Sequence, residues 1–285
     1  MGKKQRIEGF ISAVLATAFM GSLGIFVKQI NLDAGVLTFF RLLFSALFML
    51  VLIMVTKSAP LVVKPSMPLI FSGLALAANV IFYIASIKLT SMSTAVFLLY
   101  TGPIFATVGA FLFLKEPFGV VDLGCLLLSM VGILFLVHFR IDLASAGIFY
   151  GILSGLSYGL LILFNRMIEP SIPIKTRGFL QFMIGSLALM PLVAPHIRLQ
   201  QVAHWFVGLL AMAFTCGFLG IGLMFNAIAK LKAVEYGVLA YMEVVFATLF
   251  GILVFGEGLS LWSVAGGCAI LTSGIIQITK RSSGA

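Results

Sequence analysis

Long apolar runs alternate with short polar connections along this 285-residue chain. Most runs hold about 20 residues, the length that crosses a hydrocarbon core of roughly 30 Å as an α-helix. Charged residues, Pro or Asn bound the runs and predict ten membrane-spanning helices joined by short loops. The predicted spans are 9–27, 35–56, 67–87, 93–114, 119–139, 146–165, 176–195, 205–229, 234–255 and 260–279. The pattern is that of an all-α membrane protein without a soluble domain.

The basic residues indicate how the chain is oriented. With ten spans both termini share one side of the membrane, and thirteen Lys and Arg residues fall on that side against four on the other. Basic residues accumulate on the cytoplasmic side of membrane proteins. We therefore expect both termini to be cytoplasmic, in a multi-pass protein of a bacterial or archaeal plasma membrane.

The amino-acid composition restricts the kinds of partner that this protein can have. The chain is 61% hydrophobic and only 9% charged, with a mean hydropathy of +1.20, which excludes a water-soluble fold and makes the lipid bilayer its surroundings. The net charge of +9 is scattered singly or in pairs between the apolar runs, so we expect no nucleic-acid partner. No cysteine spacing predicts a metal site, no sequence motif predicts a cofactor, and the absence of a phosphate-binding loop argues against an ATPase. His138, His196 and His204 lie at span ends without metal-ligand spacing, so we also expect no intramembrane enzyme.

Two stretches of the chain, 141 residues apart, share a pattern. Leu99–Glu116 reads LYTGPIFATVGAFLFLKE, and Ala240–Glu257 reads AYMEVVFATLFGILVFGE. The alignment pairs Tyr100 with Tyr241 and superposes the Phe-Ala-Thr triplets of the two stretches. It predicts that the fourth and ninth spans are copies of one element.

A second match, at an offset of 138, relates the first span to the sixth and pairs Gly21 with Gly159. Together the matches predict two five-helix units, residues 1–142 and 143–285. Because five is odd, the second unit begins on the opposite side of the membrane, and the two repeats are expected to be inverted. Inverted repeats are typical of secondary transporters.

The paired stretches resemble the repeat signature of the drug/metabolite transporter superfamily, specifically its ten-helix EamA type. The resemblance covers nearly the whole chain. It implies a ten-helix bundle with cytoplasmic termini and a central cavity lined chiefly by helices 1, 3, 4, 6, 8 and 9. The family contains exporters of amino acids and other metabolites, while nucleotide-sugar and triose-phosphate carriers are more distant relatives.

We therefore expect a secondary active transporter that exports amino acids or related small metabolites by alternating access through a central cavity, with proton coupling left open. A facilitative carrier, or a multidrug or amine carrier of the same fold, is the main alternative. A channel or a structural membrane subunit is a further one. The sequence predicts a small-molecule partner but no oligomeric state.

Glu243 is the acidic residue nearest the middle of a predicted span. A carboxyl at that depth costs about 2.5 to 3.5 kcal/mol on insertion scales, so it normally faces a bundle interior or a water-filled cavity. Three interpretations remain open: a proton-coupling group, a site for an amine of the substrate, and a structural group bonded to neighbouring hydroxyls or amides.

Arg41 is the basic residue clearly inside a span, one or two turns from its end. One expectation is that its side chain extends to the outer interface. The alternative is that it holds a substrate carboxylate or pairs with a glutamate, with a coupling or gating role.

The other candidate ligands are polar or aromatic residues at mid-span depth, each of which could instead form an interhelical hydrogen bond. They are Asn79, Tyr83, Tyr100, Ser157, Tyr158, Asn226 and Tyr241.

Glycines four residues apart line one face of the sixth span: Gly147, Gly151, Gly155 and Gly159. With Gly21 in the first span they predict close helix packing. The seam is either static or a smooth surface on which the first and sixth helices slide.

Glu116 and Glu257 precede the fifth and tenth spans. Each is expected to cap a helix N-terminus, with gating as the alternative.

Overall fold

The computed structural model describes residues 3–57, 60, 63–64, 66–89, 92–136, 147–256, 258 and 260–279. All regular elements in these ranges are helical. In chain order the α-helices are α1 (Lys3–Gly21), α2 (Leu23–Gln29), α3 (Ala34–Thr56), α4 (Met67–Leu89), α5 (Met92–Leu99), α6 (Gly102–Leu114), α7 (Val120–Leu136), α8 (Gly147–Met167), α9 (Ile174–Val193), α10 (Leu199–His204), α11 (Phe206–Met212), α12 (Gly222–Lys230), α13 (Ala233–Ala240), α14 (Met242–Phe255) and α15 (Leu261–Thr279). A 3₁₀ turn, Ala194–His196, follows α9, and a π-helical segment, Ala213–Ile221, joins α11 to α12.

Within the described ranges, eight helical stretches are long and apolar enough to cross a membrane. Two further apolar stretches are shorter: Met67–Tyr83, which is the first part of the longer helix α4, and Val120–Leu136, after which the described residues stop. The all-helical membrane fold is thus confirmed, whereas the count of ten spans stays a prediction. The end of the fifth predicted span at 137–139 and the boundary between residues 142 and 143 lie outside the described residues.

Three predicted spans are interrupted. The first divides at Ser22, the fourth between Leu99 and Gly102, and the ninth at Tyr241. The eighth contains the π-helical segment, in which the main-chain hydrogen bonds skip one residue more than in an α-helix. Apolar run length predicted where helices lie, but it did not predict these irregularities.

Helices from the two halves of the chain pack in exchanged pairs. Helix α8 packs against α4, α5 and α6, while α1 packs against α12, α13, α14 and the π-helical segment. Helices α3 and α9 pack together, as do α7 and α15. The first helix of each half therefore packs against the third and fourth spans of the other half.

Candidate substrate site

Tyr100 and Tyr241 meet in the middle of the bundle, where two spans are interrupted. Their rings lie 5.7 Å apart at an interplanar angle of 36°. Tyr100 stands between α5 and α6, and Pro103 near the start of α6 has no amide hydrogen to bond the carbonyl of Leu99. Tyr241 stands between α13 and α14 and is fully buried. Two residues paired by the sequence repeat are thus neighbours in space.

Glu243 lies in the first turn of α14, two residues beyond the interruption at Tyr241. Its carboxyl lies close to the hydroxyl of Tyr100. Its charge also acts on the hydroxyls of Tyr83, Tyr158 and Tyr236. These four tyrosines, which we call the tyrosine cage, come from α4, α8, α13 and the interruption before α6. Glu243 is partly exposed.

The hydroxyls of Tyr158 and Tyr236 lie 3.2 Å apart and form a hydrogen bond between α8 and α13. Both side chains are buried. Ser157, the neighbour of Tyr158 on α8, is buried as well. Tyr236 was not among the predicted site residues because it lies in the first turn of its span, where an aromatic ring ordinarily marks the membrane interface. The hydropathy pattern did not predict the contact between Tyr236 and Tyr158.

Arg41 on α3 is only 8% exposed, so the expectation that it extends to the outer interface is wrong. Its Nη2 donates a hydrogen bond of 3.1 Å to the carbonyl oxygen of Cys216, in the π-helical segment. Its positive charge acts on Glu243. The side chain turns inward because a main-chain carbonyl and a carboxyl of the bundle offer it partners that an apolar surface does not.

Asn79 and Asn226 join helices from opposite halves. The Nδ2 of Asn79 donates to the carbonyl oxygen of Ser154 at 3.0 Å, linking α4 to α8. The Nδ2 of Asn226 donates to Ser12 Oγ at 2.7 Å, linking α12 to α1. The two bonds connect corresponding helix pairs of the two units. Both amides therefore serve as interhelical ties, which was the alternative to a ligand role, and Asn226 also approaches Glu8 near the end of the bundle.

The glycine seam of α8 approaches its neighbours too closely for larger side chains. A Cβ atom at Gly159 would lie 2.7 Å from Phe105 Cβ and 2.9 Å from the carbonyl oxygen of Gly102. A Cβ at Gly151 would overlap Leu98, and one at Gly155 would overlap Thr101. The seam therefore packs against α5 and α6 at their interruption.

Other glycines of the predicted set make further contacts. The carbonyl oxygen of Gly147 accepts a 2.9 Å hydrogen bond from Ser86 Oγ on α4. In the other half, a Cβ at Gly21 would lie 2.9 Å from Phe246 Cβ and 2.9 Å from the carbonyl oxygen of Glu243. Close packing is therefore confirmed for these positions, while sliding remains a prediction.

Ion pairs tie the two halves together at the end of the bundle that carries the N-terminus. Arg6 Nη2 lies 3.0 Å from Glu235 Oε1, and Lys230 pairs with Glu8. Arg166 at the end of α8 pairs with Glu116, and its Nε donates to Glu116 Oε1 at 2.9 Å. All three pairs cross from the first half of the chain to the second.

Glu116 caps a helix, but not the one that follows it in sequence. Its Oε2 accepts a 3.0 Å hydrogen bond from the backbone N–H of Ala233, the first residue of α13. At the start of α7 the acceptor is Asp122, whose Oδ2 bonds the N–H of Gly119. The expectation that Glu116 caps the fifth span is therefore wrong in its choice of helix. Glu257 lies outside the described residues.

Comparison with known proteins gives one consistent result. Residues 7–138 and 145–279 each match the EamA-like transporter family. An uncharacterized transporter of Archaeoglobus fulgidus is 28% identical over 94% of this chain and 95% of its own length. An uncharacterized transporter of Bacillus subtilis is 21% identical over 99% of this chain and 93% of its own length. A crystal structure with 13% identity covers 98% of this chain and 99% of its own, with a TM-score of 0.83, and so shares the fold.

Proposed function

Because the chain belongs to the EamA-like transporter family, and is thus a multi-pass membrane transporter of small molecules, we propose that it exports amino acids or related metabolites by secondary active transport. The membrane would be the plasma membrane of a bacterium or archaeon, with both termini in the cytoplasm. The resemblance drawn from the sequence is confirmed at the level of family. Substrate, direction and energy source belong to the proposal.

The single observation that supports this proposal is Glu243 within the tyrosine cage. A carboxyl inside an apolar bundle is retained at a free-energy cost, and such groups normally serve binding or proton transfer. Burial in the bundle works against the ionised carboxyl, and the positive charge of Arg41 works in its favour. The ionised form would attract the ammonium group of an amino acid, and the rings around it would supply apolar contact area.

Exchanged contacts support inverted repeats, which alternating access requires in this type of carrier. Gly159 meets Phe105 and Gly102 as Gly21 meets Phe246 and Glu243, with distances that agree within 0.2 Å. Residues 105 and 246, and residues 102 and 243, are related by the same offset of 141 found in the sequence. These matched contacts support the proposal that units 1–142 and 143–285 use equivalent surfaces against each other. A structure of this kind can exchange the roles of its halves between two states.

The three ion pairs at the terminal end would close the cytoplasmic side in this conformation. Glu116 contributes most to that closure because it contacts Arg166 and caps α13 at once. Opening would break both contacts, while an equivalent set on the opposite side would form as the halves exchange roles.

Proton coupling would use Glu243, with substrate and proton competing for one carboxyl. The charged and titratable groups that face it are Arg41 and the four tyrosines of the cage. Compared with Arg41 and these tyrosines, Glu243 has the unperturbed pKa that lies nearest to physiological pH. An imposed pH gradient would then drive export in exchange for protons.

The test is transport by the purified protein in proteoliposomes loaded with single radiolabelled amino acids, with and without a pH gradient. We expect saturable, temperature-dependent efflux that accelerates when the receiving side is acidic. Flux that rises linearly with concentration would indicate a channel, and absence of flux for every amino acid would overturn the proposed substrate class.

A multidrug or amine carrier is the second candidate. The tyrosine cage favours it, because a carboxyl ringed by aromatic side chains also suits organic cations without a carboxylate. Efflux of quaternary ammonium dyes in the same vesicles, without efflux of amino acids, would select this alternative.

A further inference from the structure

We propose that Arg41 is the carboxylate-binding group of the central site, so that the transported molecule is a zwitterion whose ammonium lies at Glu243. This inference rests on the proposed function, because it names the charge pattern of the molecule that the site would take. It separates α-amino acids from simple amines and from organic acids.

The guanidinium of Arg41 has an unused donor. Its Nη2 is bonded to the carbonyl of Cys216, but its buried Nε has no hydrogen-bond partner in the part of the chain that the structure describes. A buried unpaired donor is costly, since it has lost its bonds to water without replacement. A bound carboxylate would remove that cost, because the fork of guanidinium N–H groups matches the two oxygens of a carboxylate.

The π-helical segment holds Arg41 in place. Ser45, one turn beyond Arg41 on α3, bonds the carbonyl oxygens of Arg41 at 2.5 Å and of Ala213 at 3.0 Å. Gly217 packs directly on the Ser45 side chain and leaves no room for a Cβ. Helix α3 and the π-helical segment are therefore held in a fixed register beside Arg41. Such irregular turns inside helices often occur at functional sites.

Arg41 and Glu243 lie on either side of Ser22 without forming an ion pair. Cys216, whose carbonyl oxygen binds Arg41, has its Sγ 3.4 Å from Ser22 Oγ. Gly21, the neighbour of Ser22, packs on the main chain of Glu243. The positive charge of Arg41 acts on the Glu243 carboxyl, but no direct ion pair joins these two residues among the described side chains. Opposite charges separated in this way present one attractive group to each end of an α-amino acid. A simple amine would leave Arg41 unmatched, and a simple acid would leave Glu243 unmatched, so both are disfavoured.

Binding of a matched series tests the proposal. The purified full-length protein is heated with each of three compounds derived from every proteinogenic amino acid: the amino acid, its amide and the amine that lacks the carboxylate. A ligand that binds the folded state raises the melting temperature with its concentration. We expect at least one amino acid to bind roughly tenfold or more tightly than its amide and amine, the effect of a lost charged hydrogen bond.

Two variants separate binding from folding. Arg41→Gln is expected to abolish the preference for the amino acid over its amide while binding of the amide is kept. Ser45→Ala leaves the charge in place but removes the bond to Ala213, and it is expected to reduce the same preference partly. Ser186→Ala is the matched control, because that buried hydroxyl on α9 bonds only within its own helix.

The outcomes distinguish the two proposals. If wild type binds the amide and the amine as tightly as the amino acid, the carboxylate site is wrong, although the central site stands. If Arg41→Gln or Ser45→Ala lowers the melting temperature and leaves the preference unchanged, Arg41 is structural and the inference is again overturned. If no compound of any class shifts the wild-type melting temperature, the proposed function fails with it.

Discussion

Gly21 packs against the main chain of Glu243 so closely that a Cβ on the glycine would lie 2.9 Å from the glutamate carbonyl oxygen. The corresponding pair in the other half, Gly159 and Gly102, has the same separation of 2.9 Å. Glu243 and Gly102 thus occupy equivalent positions in the two units. One position carries the central carboxyl and the other carries no side chain.

The Gly21 contact predicts a steric effect. Gly21→Ala is expected to lower the melting temperature and to destabilise the folded protein by about 1 to 3 kcal/mol, the usual cost of overpacking, because two of the three atoms that the new Cβ meets are backbone atoms. Gly24→Ala on α2 is the control, since a Cβ there meets nothing within 4 Å. Equal melting temperatures for the two variants, measured in the same detergent, would contradict the close approach.

Gly151 decides between a static and a sliding seam. Gly151→Ala adds the smallest side chain at a point where Leu98 leaves no space. If the seam must slide, this variant should lose most of its transport rate while its substrate affinity stays near that of wild type, since the central groups are unchanged. Transport is measured as efflux from proteoliposomes matched for protein content. A rate reduced only in proportion to the fraction of folded protein favours the static seam.

Neutralising the central carboxyl should uncouple transport from protons. Glu243→Gln keeps the size of the side chain but cannot ionise, so we expect the acceleration by a pH gradient to disappear and affinity for amino acids to fall roughly tenfold. Glu169→Gln, which alters an exposed carboxyl in a loop, should behave as wild type. A Glu243→Gln variant with unchanged rate and pH dependence would exclude the coupling role.

The terminal-end ion pairs predict a shift in conformation. Glu116→Gln removes a carboxylate whose side chain is 13% exposed and is expected to favour opening toward the cytoplasm. A cysteine introduced at the buried Ala240, in a background without native cysteines, should then react roughly tenfold faster with a thiol reagent from that side. Glu169→Gln is the control, because it removes an exposed loop carboxyl that belongs to none of the three ion pairs. Identical labelling rates in wild type and Glu116→Gln would show that Glu116 does not hold this end closed.

Lys115 predicts a stabilising substitution. It ends α6 with a positive φ of 52°, and its sequence counterpart Gly256 ends α14 with a φ of 65°. Lys115→Gly should raise the free energy of unfolding by about 0.5 to 1 kcal/mol, because a side chain is strained in the left-handed region. Gly256→Ala should have the opposite sign in the same thermal assay. A destabilised Lys115→Gly would mean that the lysine side chain contributes more than its backbone strain costs.

The fold could be predicted from the sequence because its signals are local and repeated. Apolar run length located the helices, and the match between Tyr100 and Tyr241 identified two residues that turned out to be in contact. Spacing of four along α8 predicted its glycine seam. Each of these features depends on residue identity at fixed separations within one chain segment.

The environment of the candidate site could not be predicted in the same way. Arg41 is buried because Cys216, distant in sequence, offers a main-chain carbonyl in a π-helical segment. Tyr236 belongs to the site because α13 starts beside Tyr158. Neither partner can be identified from hydropathy, since both depend on how the halves are docked. The same holds for Glu116: its role as a helix cap was predicted, but the helix that it caps was not.

The difference between Gly102 and Glu243 gives the central site a direction. If the two halves were identical, both ends of a ligand would meet the same protein groups. The ligand could then bind in either of two opposite poses. A carboxyl in only one half removes that degeneracy, so a molecule with unlike ends binds in a single pose. Under the proposed function, the ammonium end of an amino acid would stay with α14 whichever side of the membrane is open. The same end of the molecule would then always face the same half of the protein.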